Sequence, residues 1–243
     1  MEDVFAEIEH ETGSKANWIS VNLKAMSINH EPSTEFEKRA AREIATGEIE
    51  AETTEDGHYR RATAIPMTGG CISCHAGDNS TRTAVEGLAV EKSAAVEQPT
   101  VTTVSQARRQ AEILHSTLHS SLRVIHDRYY REDEALPIPA AILGEVFKDV
   151  EAEQHVKLRW LAVEGLAMNS DHKPADEFER QAAEQLKAGK RSHEIAADGL
   201  YRRAAPITLS GHCLKCHMPD RRSTRERVAG LIIAIPVTPE SRP

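Results

Sequence analysis

The sequence predicts an α+β fold made of two tandem units, and three observations support that prediction. Residues 1–75 and 143–217 match at 29 positions when they are aligned at an offset of 142. Each unit begins with segments of helical periodicity and ends with extended, apolar segments. A polar, β-branched stretch at 98–105 separates the units and is typical of a linker. The predicted domains are therefore residues 1–97 and 106–243.

The matching positions keep the same order in both units and include apolar, aromatic and charged residues. They are Val4/Val146, Phe5/Phe147, Trp18/Trp160, Met26/Met168, His30/His172, Pro32/Pro174, Glu35-Phe36-Glu37/Glu177-Phe178-Glu179, Gly57/Gly199, Tyr59/Tyr201, Arg60/Arg202 and Arg61/Arg203. A repeat of this size indicates a duplicated domain rather than a solenoid. Only the second unit has the preceding segment 106–142, so we expect the first unit to lack its N-terminal helix.

The helices of the second unit follow from periodicity and from helix-breaking residues. Residues 106–131 contain neither Gly nor Pro and carry apolar residues at helical spacing, which predicts a long helix. Leu136-Pro137-Ile138-Pro139 interrupts it. Further helices are predicted for 140–168 and 175–188, and Gly189 ends the last one.

The strands and the elements of the first unit follow from the same patterns. In the second unit, extended chain is predicted at 201–205 and 228–237, and the latter is a continuous apolar run typical of a buried strand. In the first unit, the corresponding helices are predicted near 4–27 and 33–46, and the corresponding strands at 59–65 and 85–90. Each unit is thus a mixture of helices and a few strands.

Both units contain the motif Cys-x-x-Cys-His, as Cys71-Ile72-Ser73-Cys74-His75 and as Cys213-Leu214-Lys215-Cys216-His217. This is the attachment signature of a c-type haem, in which each thiol adds to one porphyrin vinyl group. The adjacent histidine then lies beneath the iron as its proximal ligand. All four cysteines of the chain belong to these motifs. The sequence therefore predicts two covalently bound haem c groups with His75 and His217 as proximal ligands.

Two other kinds of site also use paired cysteines. Zinc can be held by two Cys-x-x-Cys pairs, but these pairs usually lie within a few tens of residues and need no histidine after each pair. Redox-active pairs of the thioredoxin type open a helix after a strand and lack the adjacent histidine. Haem attachment is the interpretation that accounts for the histidine in both copies.

The order of features around the second motif resembles the Tll0287-like family of PAS-like c-type haem domains. The resemblance rests on Pro174 before Glu177-Phe178-Glu179, on Tyr201-Arg202 before the motif, and on the closing strand Gly230-Leu231-Ile232-Ile233. It implies that each unit is PAS-like, with a small antiparallel sheet flanked by helices around a covalently bound haem. It also implies that the sixth iron ligand comes from the long N-terminal helix.

The long predicted helix carries His115, His119 and His126, whose offsets of 4 and 7 place them on one narrow stripe. His115 and His119 lie nearest the ligand position of the family. The alternative ligands are His30 and His172 or Met26 and Met168, which both units share, and for the first haem also His10 and His58. The choice matters because a distal Met raises the reduction potential relative to a second His.

Four arginines precede the two motifs by about ten residues, and they are Arg60, Arg61, Arg202 and Arg203. A guanidinium suits bidentate contact with a haem propionate, so these residues are candidate cofactor-binding residues. Exposed strand positions would carry arginine equally well. Both interpretations stay open at this point.

Charge and motif content exclude several function classes. The formal net charge of −8 disfavours a nucleic-acid partner or an anionic membrane surface. No stretch approaches the ~20 apolar residues that a membrane helix requires. The sequence contains no nucleophile elbow and no phosphate-binding loop, so an enzyme is not expected, although catalysis at an open iron site is an alternative.

Two haem motifs in tandem without a visible substrate site favour a dihaem cytochrome that transfers electrons to and from redox partner proteins. A haem-based redox or gas sensor, whose output segment lies outside this chain, is the alternative. Because haem is attached covalently outside the cytoplasm, we expect a periplasmic or extracellular bacterial protein, although the given sequence shows no export signal. We also expect another polypeptide to complete the first haem site, either in a homo-oligomer or as a cleaved N-terminal segment.

Overall fold

The computed structural model describes residues 2–21, 27–65, 102–131, 134, 136–164, 167, 169–211, 213–214 and 228–238. The chain divides into two compact units. The large unit comprises Met1–Lys15 and Glu97–Pro243, and the small unit comprises Ala16–Val96. The first fifteen residues therefore group with the large unit, whereas the repeat in the sequence assigns them to the domain predicted at 1–97.

The described elements alternate helices with short strands. In chain order they are α1 (Glu2–Thr12), α2 (Glu35–Ala45), β1 (Glu50–Glu55), β2 (His58–Thr63), α3 (Val104–Arg128), α4 (Pro139–Gln154), β3 (Lys157–Leu161), α5 (Glu177–Lys187), β4 (His193–Ala197), β5 (Leu200–Thr208) and β6 (Val228–Pro236). Single turns of 3-10 helix at Ile28–His30 and Ser170–His172 come before α2 and α5. The predicted α+β class is confirmed.

The large unit is built on an antiparallel sheet with strand order β3-β6-β5-β4. β6 pairs with a strand on each side, and its residues from Gly230 to Ile235 are buried. The apolar run at 228–237 is thus a central strand, as the sequence predicts. Its burial on both faces explains why its residues do not alternate between polar and apolar.

Helices cover both faces of this sheet. Successive strand residues point to opposite faces, so Tyr201 and Ile207 of β5 face one layer and Ala204 faces the other. The first layer is α3 with α4, which share a core cluster with Tyr201 and Ile207. The second layer is α5, whose Phe178 shares a cluster with Ala204.

The helix predicted at 140–168 is wrong beyond Gln154. His155 adopts a left-handed conformation with φ of 55°, which ends α4. β3 then pairs with β6, placing Trp160 opposite Leu231. The helix predicted at 4–27 is likewise too long, because α1 ends at Thr12 before Gly13, whose φ is 66°.

α1 packs against α3 in the large unit. Val4 and Ile8 form a buried cluster with Val124 of α3. Glu7 forms an ion pair with Arg123 of α3. These contacts explain why the first fifteen residues group with the large unit.

The small unit contains α2 packed on the β1–β2 hairpin. The hairpin turns through Asp56-Gly57, with φ of 51° and 72°, and the β4–β5 hairpin turns through Asp198-Gly199, with φ of 53° and 74°. Two positive φ values define the two-residue turn that matches strand twist, and glycine adopts such values without strain. The 3-10 turn, helix and hairpin between 28 and 63 recur in the same order in the large unit. The strand predicted at 85–90 lies outside the described residues.

Gly230 lies where β6 meets both β3 and α5. A Cβ at this position would come within 3.1 Å of the Leu161 Cβ and 3.2 Å of the Leu186 Cδ1. We therefore expect Gly230→Ala to lower the free energy of unfolding by about 1–3 kcal/mol through overpacking. Gly144→Ala is the control, because nothing lies within 4 Å of its Cβ position in α4. That change should stabilise the protein by about 0.5–1 kcal/mol. Urea unfolding midpoints measure both effects, and equal shifts would contradict the expected crowding.

Candidate functional site

α3 lies close to the sheet because small residues form its contact face. Ala107 and Ala111 are fully buried and belong to the same core cluster as Tyr201 and Ile207. Leu122 continues this buried face toward the end of the helix. This apolar contact holds α3 against strand β5.

The structure brings His115 to β5. The Nε2 atom of His115 lies 2.9 Å from the carbonyl oxygen of Pro206, at hydrogen-bond distance. The ring centroid of His119 lies 5.7 Å from that of His115, and both side chains are partly buried. His126 is buried further along the helix, with its ring centroid 5.2 Å from that of Tyr130. His115 and His119 therefore lie close together on α3, and His115 contacts the strand.

β5 leads directly into the second Cys-x-x-Cys-His motif. The Sγ atom of Cys213 lies 3.4 Å from the Oγ of Ser210, and the Leu214 N–H donates to the carbonyl of Ser210 at 3.2 Å. Cys213 is partly buried. The other ligands predicted from the motifs, which are Cys216 and His217 and, in the first copy, Cys71, Cys74 and His75, lie outside the described residues.

The described donor groups fit a c-type haem. A haem of this class is attached through cysteine thiols, and its iron can take an imidazole of the chain as a ligand. Cys213 supplies a thiol at the end of β5, and His115 and His119 supply imidazoles on the helix that covers β5. The chemistry of this donor set agrees with the predicted cofactor.

Arg202 and Arg203 point to opposite faces of the sheet. On the α5 side, Arg202 lies over the ring of Phe178 at 4.2 Å and donates to Asp176 at 2.7 Å. On the α3 side, Arg203 pairs with Glu194 and lies 3.7 Å from Glu112. Both guanidinium groups thus contact carboxylates of the protein. Their contact with haem propionates stays a prediction.

A charge cluster links α3 to β4 and β5. The Arg108 Nε donates to Glu194 at 2.8 Å and its guanidinium lies 6.0 Å from the Tyr201 ring centroid. Burial would raise the pKa of Glu194, but Arg108 and the neighbouring Arg203 outweigh burial and lower it. Burial and the Glu194 carboxylate raise the pKa of Tyr201 to about 12. Sequence reasoning missed Glu194, although its match with Glu52 between the repeats was a usable signal.

The corresponding arginines of the small unit lie on β2. Arg60 is partly buried and faces Thr53 across the hairpin. Arg61 pairs with Glu50 and lies 3.3 Å from Glu52. As in the large unit, the second arginine of the pair is held by carboxylates of the neighbouring strand.

His30 and His172 lie in the two 3-10 turns. Their carbonyl oxygens accept hydrogen bonds from Ser20 and Ala162, each at 2.7 Å. Burial lowers the pKa of His172, and the guanidinium of Arg159 lowers it further. The equivalent hydrogen bonds give both histidines a structural position, and iron ligation by either one stays a prediction. Met26 and Met168 lie outside the described residues.

Glu179, the second glutamate of the Glu-Phe-Glu motif, is buried in an ion-pair network. It pairs with Arg159 and accepts from Arg202 at 3.3 Å and from the Ala175 N–H at 2.7 Å. Arg159 also donates to the carbonyl of Lys173 at 3.0 Å. The network therefore ties β3, β5 and the turn before α5 together. Sequence reasoning singled out the motif but missed the role of Arg159.

Among the residues that the structure describes, no helix has the length and apolar character to cross a membrane. No group of three or more His, Cys, Asp or Glu side chains in those same ranges is placed to hold a metal ion.

The large unit is an α+β domain in which a long leading helix covers a four-stranded antiparallel sheet, and a sheet strand leads into Cys-x-x-Cys-His. The Tll0287-like family model matches residues 97–230, more than half of the chain, and the chain belongs to this family. A comparison with solved structures found the crystal structure of the cyanobacterial heme-protein Tll0287, with a TM-score of 0.39 and 16% identity. That match covers 58% of this chain and 94% of the other. No curated protein matches the chain.

Proposed function

We propose that the protein is a dihaem c-type cytochrome that transfers electrons in the periplasm or outside the bacterial cell, without turning over a substrate. The observation that carries this proposal is the position of Cys213 in the segment that follows β5, the strand that His115 of the long leading helix contacts at Pro206. Membership in the Tll0287-like family supports it, since the solved protein of that name is described as a heme-protein. The partners are redox proteins.

Each haem would be held by one of the two motifs. In the large unit, Cys213 and Cys216 would carry the thioether bonds and His217 would be the proximal ligand. The match between residues 1–75 and 143–217 supports the same assignment for Cys71, Cys74 and His75, as a tandem copy of the domain. A bound haem supplies a one-electron couple whose potential depends on its axial ligands.

Residues of α3 pack this helix against the sheet, which positions its histidines and excludes water from the sheet side of the helix. Ala107, Ala111 and Leu122 seal α3 against the sheet next to its histidines. The hydrogen bond from His115 to Pro206 holds that imidazole against the strand. We therefore assign His119 as the distal ligand of the second haem and His115 as its positioning neighbour.

Replacing the histidines one at a time tests this assignment. We expect His119→Ala to convert the second haem to a high-spin form that binds carbon monoxide, because the sixth ligand is removed. His115→Ala should leave that haem low-spin, and His172→Ala is the control for the turn histidine. Visible spectra of the oxidised and reduced proteins, with and without carbon monoxide, give the result. If His172→Ala alone converts the haem, the shared turn histidine is the ligand and the assignment to α3 is wrong.

The second candidate function is a haem-based redox or gas sensor with its output segment outside this chain. The hydrogen bond from His115 to Pro206 favours it, since the nitrogen engaged by that carbonyl cannot also bind iron. In a sensor, His119 would not bind iron either, and the iron would keep an open position for a diatomic gas. The unmodified protein distinguishes the two functions. Low-spin haems that do not react with carbon monoxide support electron transfer, whereas rapid carbon monoxide binding by the reduced protein supports sensing.

A further inference from the structure

The β1–β2 hairpin of the small unit has one covered face and one open face. Because strand residues alternate, Ala51 and Ala62 lie on the face that α2 covers, and Ala51 is buried. The opposite face carries polar and aromatic side chains, which are those of Glu50, Glu52, Thr54, Tyr59, Arg61 and Thr63. We call this second surface the open hairpin face.

On the equivalent face of the β4–β5 hairpin, α3 packs on β5 and reaches β4 through the ion pair of Arg108 with Glu194. Tyr201 is 1% exposed beneath that helix, whereas its counterpart Tyr59 is 60% exposed. The Arg203 side chain is 12% exposed, whereas that of Arg61 is 48% exposed. The open hairpin face therefore keeps residues that are buried under a helix in the large unit.

The small unit also retains the counterparts of the charged residues that α3 contacts in the large unit. In the large unit Arg108 binds Glu194 at 2.8 Å, and Glu112, one turn later on the helix, lies 3.7 Å from Arg203. The counterparts of Glu194 and Arg203 are Glu52 and Arg61. In the small unit they lie 3.3 Å apart, and the Tyr59 hydroxyl donates to Glu52 at 2.6 Å. A helix on the open hairpin face that carries an arginine and a glutamate four residues apart would therefore meet the same two partners. Its arginine would pair with Glu52 and its glutamate with Arg61.

We propose that the open hairpin face binds the leading helix of another domain of this family, a helix with the pattern Ala-Arg-x-x-Ala-Glu. In α3 this pattern is Ala107-Arg108 and Ala111-Glu112, where the two alanines allow close approach to the sheet and the charged residues bind across it. This inference rests on the tandem relation in the proposed function. The occupant is a helix other than α3, which already packs on β5 and β6.

A labelled peptide with the sequence of residues 102–130 is the probe, and fluorescence anisotropy with the full-length, haem-loaded protein measures its binding. We expect saturable binding that Glu52→Arg in the protein weakens about tenfold, because the partner of Arg108 is reversed. The peptide with Arg108→Glu should bind the unmodified protein equally weakly. It should regain most of the affinity with the Glu52→Arg protein, because attraction is restored. Glu55→Arg is the matched control, since Glu55 lies on the α2 face of the same strand.

The pattern of these results decides the inference. Rescue by the paired reversals, with no effect of Glu55→Arg, supports helix docking on the open hairpin face. The inference is overturned if the peptide does not bind, if both protein variants lose binding equally, or if the paired reversals give no rescue. It is also overturned if light scattering shows a stable dimer and the peptide is excluded because the dimer buries Tyr59. The visible spectrum of each sample reports its haem content. Loss of binding in haem-loaded protein thus counts against the docking surface, whereas absence of haem counts against the proposed function.

Discussion

The double variant Cys213→Ala, Cys216→Ala is expected to lose one of the two covalently bound haems and to keep the other. Without thiols on the segment after β5, no thioether bond can form there, and a haem held by His217 alone dissociates when the protein is denatured. A denaturing gel with a peroxidase-type haem stain measures the covalent haem of the variant and of the unmodified chain.

The reciprocal variant Cys71→Ala, Cys74→Ala is the matched control. It should lose the first haem and keep the second, so each double variant retains part of the stain and the quadruple variant retains none. Full staining of either double variant would show that the altered motif does not attach haem.

The second large effect is expected for Glu179→Ala. The Glu179 side chain is 4% exposed, and its removal leaves Arg159 and Arg202 without the carboxylate that both contact. Breaking a buried ion pair by deleting one partner costs about 3–5 kcal/mol, because the remaining charges stay poorly solvated. Arg159 and Arg202 are partly exposed, with side-chain fractions of 31% and 22%, so we expect about 3 kcal/mol.

Glu177→Ala is the control for this change, since it removes the other glutamate of the same motif. The Glu177 side chain is 67% exposed and pairs with Arg180 within one helical turn. Such a surface pair contributes little to the free energy of unfolding, because water screens both charges. Urea unfolding followed by circular dichroism measures both variants. If the two midpoints shift equally, the buried network does not hold the unit together in the way that its contacts indicate.

The elements that the sequence predicts well are those with a strong local pattern. α3 has no Gly or Pro and a clear helical stripe, and β6 is a continuous apolar run, so both lie close to their predicted ranges. β3 was missed because its strand state depends on pairing with β6, some 70 residues later. The left-handed residue His155 that ends α4 carries no Gly signal in the sequence.

The candidate site likewise combines features that follow from local sequence patterns with contacts that depend on the fold. The motif chemistry and the histidine stripe of α3 are local patterns, and the structure places His115 beside the strand that leads to Cys213. The partners of the arginines were not visible in the sequence. Arg203 contacts Glu112, which lies 91 positions earlier, and only the fold brings these residues together.

The sequence repeat predicts which elements recur in both units, but the fold decides where each of them packs. The match of residues 1–75 with 143–217 predicts equivalent elements, and the helix and hairpin of the small unit recur in the large unit. α1 departs from this pattern, because it packs on α3 through Val4 and Ile8. The apolar stripe of a short helix does not specify which surface buries it.

The intact mass of the purified, denatured chain tests the central claim most directly. The protein should be produced with an export signal in a host that matures c-type cytochromes. We predict the mass of the polypeptide plus two haems, because denaturation removes every ligand that is not covalently attached. The mass of the bare polypeptide, with zinc released on unfolding, would contradict the assignment of both motifs to haem.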